Sequence, residues 1–150
     1  MFRFSLQDVL EHRQLVEDNK KAEFAYISAL IREREAALET IRHDRTDYFK
    51  QLSTIESAHS NMAVRTLYEW YLSYLDAETK RLKKEIVELN AQKEQKRGDL
   101  IKAMKDRRVL EEVQKKEQEE YQKQERKKEA KTYDDIALGK YVRARTEKIA

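Results

Sequence analysis

From Phe24 onward, residues recur at alternating steps of three and four: Phe24, Ile27, Ile31, Arg34, Leu38, Ile41, Arg45, Tyr48, Leu52 and Ile55. That is the heptad spacing of a helix that turns one face to a partner helix, here with two arginines set in the seam. A periodic pattern this long, without internal stops, predicts coiled coil. Upstream, Leu6, Val9, Leu10, Leu15 and Val16 give a looser apolar face, and the pattern lapses between Glu17 and Lys20. Ser5 followed by Asp8 resembles a capping box with Asp in place of Glu, so the first helix is expected over about 5–57. A second seam runs Tyr68, Leu72, Leu75, Thr79, Leu82, Ile86, Leu89, Lys93, Lys96, Leu100, Ala103, Arg107 and Leu110. Its phase differs from the first by one residue. Between the seams, Ser60 and Asn61 disfavour a helix interior and favour a cap, so a turn is expected at about 58–65 and a second helix over about 66–131.

These elements predict an all-α fold: two long helices in an antiparallel coiled-coil hairpin, forming one elongated domain over residues 1–150. Neither Gly nor Pro marks the reversal, so a single continuous helix paired in a parallel dimer is the competing arrangement. A turn near residue 61 sets Ser5 opposite about residue 117, and the rest of the second arm overhangs. Residues 114–131 have almost no apolar face and read as an exposed helix laced by i,i+4 charge pairs. Amphipathicity returns at Tyr133, Ile136, Ala137, Tyr141 and Val142, which extends the helix to about 145. Gly139 interrupts that extension at a cost of about 1 kcal/mol against Ala. The end is expected to fray when alone and to order on a partner.

Composition supports long helices: 41% of residues are charged, there is no Pro, and Gly98 and Gly139 are the only glycines. The absence of Cys removes disulfide and thiolate chemistry. No apolar run approaches a membrane span, and Met1-Phe2-Arg3-Phe4 is not followed by a secretory h-region. A soluble, cytoplasmic chain, monomeric on its own, is expected. The net charge of +3 lies in residues 115–150, where 11 Lys or Arg face 8 Asp or Glu. Those cations are interleaved with Glu through 115–131, which disfavours nucleic acid, and the apolar face beyond is short for a membrane surface. His12, His43 and His59 have no metal-ligand spacing, acidic pairs sit in charge runs, and no Gly-rich loop is present to cradle phosphate. No enzyme and no cofactor is expected.

The stretch Leu67-Tyr68-Glu69-Trp70-Tyr71-Leu72-Ser73-Tyr74-Leu75 holds the only Trp and three of the eight Tyr. Tyr68, Leu72 and Leu75 share the seam. Leu67, Trp70, Tyr71 and Tyr74 lie elsewhere on the helix and read as a contact surface for another protein, since Trp and Tyr dominate interface hot spots. The bland alternative is that these rings only thicken the end of the hairpin. For Arg34, Arg45, Lys93, Lys96 and Arg107, heads snorkelling out of a narrow seam is the favoured reading.

Three segments resemble the FliJ family, the small coiled-coil component of the flagellar protein export apparatus. Phe2 to Arg13 resembles its opening F-x-L-x-x-V-L-x-x-R; Tyr71-Leu72-Ser73-Tyr74-Leu75 resembles its aromatic Y/F-x-x-x-L segment; Glu129 to Leu138 resembles its E-x-K-x-x-D-E-x-A ending, with Asp135 in place of Glu. The resemblance implies an antiparallel two-helix coiled coil similar to the stalk of rotary ATPases. Its ends would enter the hexameric export ATPase and promote ring assembly and activity. It also implies contacts with the export gate membrane protein and with export chaperones, at the inner face of the cell membrane at the flagellar base. The gate contact carries over to Tyr71 and Leu75, and one turn on to Glu78 and Leu82. Asp134, Asp135, Ala137 and Arg143 would face the ATPase or a chaperone. The stalk of an injectisome shares this architecture, and a structural scaffold is the reading outside secretion.

Overall fold

The structure, a computed structural model, describes residues 1–57 and 61–150. It consists of two α-helices, α1 (Gln7–Ser57) and α2 (Met62–Ile149), with no strand among the described residues. The two pack against each other in an all-α hairpin, as the paired seams predict. Phe4, which is buried, turns the chain into α1: its carbonyl accepts from the Gln7 amide at 3.4 Å, and that of Leu6 from the Leu10 amide at 2.9 Å. The expected capping box does not form, because Ser5 stands two residues ahead of the first helical residue, one too early for an N-cap.

Of the expected turn at 58–65, residues 58–60 lie outside the described residues. Asn61 caps α2: its side-chain Oδ1 accepts from the Ala63 amide at 3.1 Å, and its carbonyl from the amides of Val64 and Arg65. Met62 to Arg65 are therefore helical, and α2 begins about four residues before the expected start near 66. Arg65 reaches back to Glu56 at 3.1 Å and on to Glu69 at 3.2 Å, tying the start of α2 to the end of α1. An Asn side chain thus supplies the helix entry that no Gly or Pro announces.

The chain divides into two compact units. In the unit spanning residues 17–103, the core is Ile27, Ile31, Leu38 and Leu52 of α1 with Leu75, Leu82 and Ala103 of α2. Salt bridges flank it. Glu23 meets Lys96 at 3.1 Å and Arg34 meets Glu85 at 3.0 Å, pairs whose numbers both add to 119; Arg45 meets Asp76 at 2.8 Å, adding to 121. A nearly constant sum is the signature of antiparallel pairing. The Lys93 ammonium stays over the ring of the seam residue Phe24 at 5.6 Å, whereas the Lys96 head leaves the seam for Glu23. Its hydrogen bond, the largest influence, holds the Glu23 carboxyl below its usual range. The lapse at Glu17–Lys20 is no gap in packing. Glu17, seven residues before Phe24, occupies a seam position and is only 3% exposed, with Lys21 at 3.1 Å. Gly98 sits in mid-helix, and a Cβ there would meet nothing within 4 Å. Gly98→Ala is therefore expected to stabilise the hairpin by about 0.5–1 kcal/mol, read as a higher melting temperature by circular dichroism.

In the other unit, residues 1–16 and 104–150, Phe4 and Leu10 are buried, while Leu6, Val9 and Leu15 of the loose N-terminal face stay exposed. Gln114 donates to Gln7 at 3.4 Å, a pair that adds to 121 and agrees with the expected opposition of Ser5 and about residue 117. Arg13 meets Asp106 at 3.5 Å. The Phe2 ring packs on Tyr121 at 5.6 Å, and the Met1 amine donates to the Tyr121 hydroxyl at 3.0 Å. Every residue from 126 to 150 is exposed, yet α2 runs on to Ile149, past the expected end near 145 and through Gly139.

Candidate functional site

Five aromatic rings form a continuous chain near the start of α2. Tyr48 of α1 packs on Tyr68 at 5.6 Å and on Tyr71 at 4.3 Å; Tyr71 passes the contact to Tyr74 at 6.1 Å, and Tyr74 stacks on Trp70 at 6.3 Å with 16° between planes. The chain runs from the interhelix seam to solvent. Tyr68 is fixed by its hydroxyl, which donates to Gln51 at 3.2 Å. At the outer end Trp70 is 68% exposed and Tyr74 49%, with Leu67 beside them at 67%. Three large apolar side chains thus stand in water on one flank of α2, where an apolar patch marks a contact surface.

Tyr71 differs from the expectation that grouped it with the off-seam residues. It lies three residues from Tyr68 and four from Leu75, within reach of the seam, and the Tyr48 ring covers it to half-burial. Desolvation, helped by Tyr48 and Asp44, raises its phenol above the usual range.

The residues to which the gate contact carries over are split by the fold. Leu75 is 3% exposed and Leu82 4%, both packed into the seam. Glu78 is half-buried and bound to Arg81 at 2.7 Å, and that hydrogen bond, the main cause, lowers its carboxyl pKa. Arg81 also binds Glu85 at 2.6 Å, and Glu85 continues to Arg34. Through the steps of four, three and four from Tyr71, Leu75 and Leu82 are seam positions and point inward, while Tyr71 and Glu78, one residue before the seam positions Leu72 and Thr79, flank it half-buried. The same steps taken one residue earlier, Trp70, Tyr74, Ala77 and Arg81, are exposed throughout. The signal was available: Leu75 and Leu82 already belonged to the heptad seam.

At the far end of α2, Asp134, Asp135, Ala137 and Arg143 are all exposed. Asp135 and Arg143 border one shallow hollow with Thr132, Ile136 and Gly139. Tyr133, Ile136, Leu138, Tyr141, Val142 and Ile149 are between 51% and 79% exposed there, a second group of apolar side chains without a helix opposite. On α1, Phe49 stands 65% exposed among Arg42, Arg45 and Lys50, a feature that the periodicity of α1 did not single out.

Among the described residues no group of three or more His, Cys, Asp or Glu is placed to hold a metal ion, and no helix is long and apolar enough to cross a membrane. The hollows are open surface depressions between side chains. What the arrangement offers is two exposed faces, one aromatic and one mixed apolar and charged, each suited to protein partners. The family model described as "FliJ: Flagellar FliJ protein" matches residues 2–146. No curated protein and no solved structure matches the chain.

Proposed function

This chain belongs to the FliJ family, a component of the flagellar export apparatus, and from that premise we propose that it works as a stalk-like subunit, engaging the export ATPase hexamer, the export gate and the export chaperones. The family is a structural export component, not an enzyme family. The observation that carries the reading is the family match over residues 2–146 of a chain that forms a helical hairpin with an uncovered C-terminal segment. Asp134, Asp135, Ala137 and Arg143 stand on that segment, and the exposed charges of Asp134, Asp135 and Arg143 suit the orientation and capture of a ring subunit or a chaperone. The gate takes the aromatic flank of Trp70, Tyr74 and Leu67, with Tyr71 at its border and Glu78 beyond. Leu75 and Leu82 act from within the seam, holding that flank in place. The protein works in the cytoplasm, at the inner face of the cell membrane at the flagellar base, held there by its partners.

The test is hydrolysis by the cognate flagellar export ATPase with and without this chain, with ring formation followed by electron microscopy. Faster hydrolysis and more closed rings are expected, and Arg143→Glu is expected to weaken both while leaving helicity intact. No change on adding the correctly folded chain would move the function away from the ATPase and leave the aromatic flank as the remaining lead.

A further inference from the structure

We propose that residues 131–149 of α2 pair antiparallel with the same segment of a second copy of this chain. A seam runs through it at steps of four, three, four, three and four: Lys131, Asp135, Leu138, Val142, Arg145 and Ile149. This heptad stripe shares Val142 with the Tyr133, Ile136, Ala137 and Tyr141 face, and Tyr141 borders it. Leu138 is 60% exposed, Val142 58% and Ile149 79%, so a coiled-coil seam stands here with no helix against it.

The charges select the occupant. When the stripe is laid against its own reverse, with facing residues adding to 280, Leu138 meets Val142 of the second copy and Val142 meets Leu138. The same register sets Asp135 against Arg145 at both ends of that apolar centre. At the flanking positions Asp134 falls beside Lys148 of the second copy, and the two Tyr141 rings meet on the two-fold axis. Gly139 lies on the other flank, where a Cβ would meet nothing within 4 Å and where the absence of a side chain lets the helices approach closely. No like charges face each other. Parallel pairing would set Asp135 on Asp135 and Arg145 on Arg145, which repel. The self-complementary patch is what a two-fold dimer requires.

The contact is short and belongs to the weak, transient class. It covers Asp135, which the ATPase reading also uses, so pairing competes with that contact but does not depend on it.

The experiment is sedimentation equilibrium of the full chain up to about 1 mM, a range that reaches weak, transient association. The unsubstituted chain is expected to associate reversibly. Asp135→Arg alone and Arg145→Asp alone each place like charges at both ends of the apolar centre and are expected to raise the dissociation constant about tenfold or more. An equimolar mixture of the two variants is expected to recover association, since each new charge then faces its opposite. A chain that stays monomeric throughout the range, single variants that associate as the unsubstituted chain does, or a mixture that recovers nothing would each overturn the proposal.

Discussion

Leu75→Ala is expected to destabilise the hairpin by about 2–5 kcal/mol, the range for removing a leucine side chain from a packed core. Leu75 is the least exposed large apolar residue of α2, at 3%, and it sits in the seam between Leu72 and Thr79. The loss has two parts: the transfer energy of the deleted methyl and methylene groups, and the space left beside α1, which a two-helix layer closes only partly. Because the core of this unit is a single line of residues, a gap at one layer has few neighbours to fill it. Thermal melting followed by circular dichroism should show a markedly lower midpoint. An unchanged midpoint would mean that the seam near Leu75 is loose or open. The same substitution bears on the gate contact carried over to Leu75. Any binding lost on Leu75→Ala is confounded with loss of the fold, so pairing Leu75→Ala with Tyr71→Ala cannot isolate a contact residue.

Most of the fold was legible because a coiled coil writes its contacts into the sequence as a period. Each position of the second seam, from Tyr68 to Leu110, is buried or half-buried, including Lys93, Lys96 and Arg107, whose long stems can fill a seam position. Glu17 escaped because hydrophobicity was the signal and a buried carboxylate carries none, although its position seven residues before Phe24 kept the period. The start of α2 escaped for a different reason. A cap is a local hydrogen-bond geometry, and Ser60 and Asn61 are equally good candidates by residue type; only the bond from Ala63 to the Asn61 side chain distinguishes them. The candidate site was half legible. Its aromatic composition and the exposure of Leu67, Trp70 and Tyr74 followed from their off-seam spacing. The phase of the remaining residues did not, because a motif carried over from a family brings its spacing and not its helical phase. On a helix, one residue is about 100° of rotation, enough to turn a surface stripe into a core one.

That one-residue difference leads to the second large effect. Trp70→Ala combined with Tyr74→Ala is expected to weaken binding to the export gate about 30-fold or more, since exposed Trp and Tyr at the centre of an interface commonly cost 2 kcal/mol or more on truncation. The fold should barely respond. Trp70 stands largely in water and Tyr74 about half, their mutual stacking at 6.3 Å contributes about 0.5–1.5 kcal/mol, and Ala is the better helix former at both positions. Ala77→Glu makes the same point without touching an aromatic. It sets a charge on the exposed stripe between Tyr74 and Arg81 and is expected to weaken gate binding with the melting midpoint unchanged. The measurement is titration of the cytoplasmic part of the gate protein against each variant, with the melting curve recorded alongside. Binding lost with the midpoint kept would assign the contact to the exposed stripe. Full binding by both variants would mean that the partner reaches the seam side, and therefore that α1 and α2 separate near Leu75 when the gate binds.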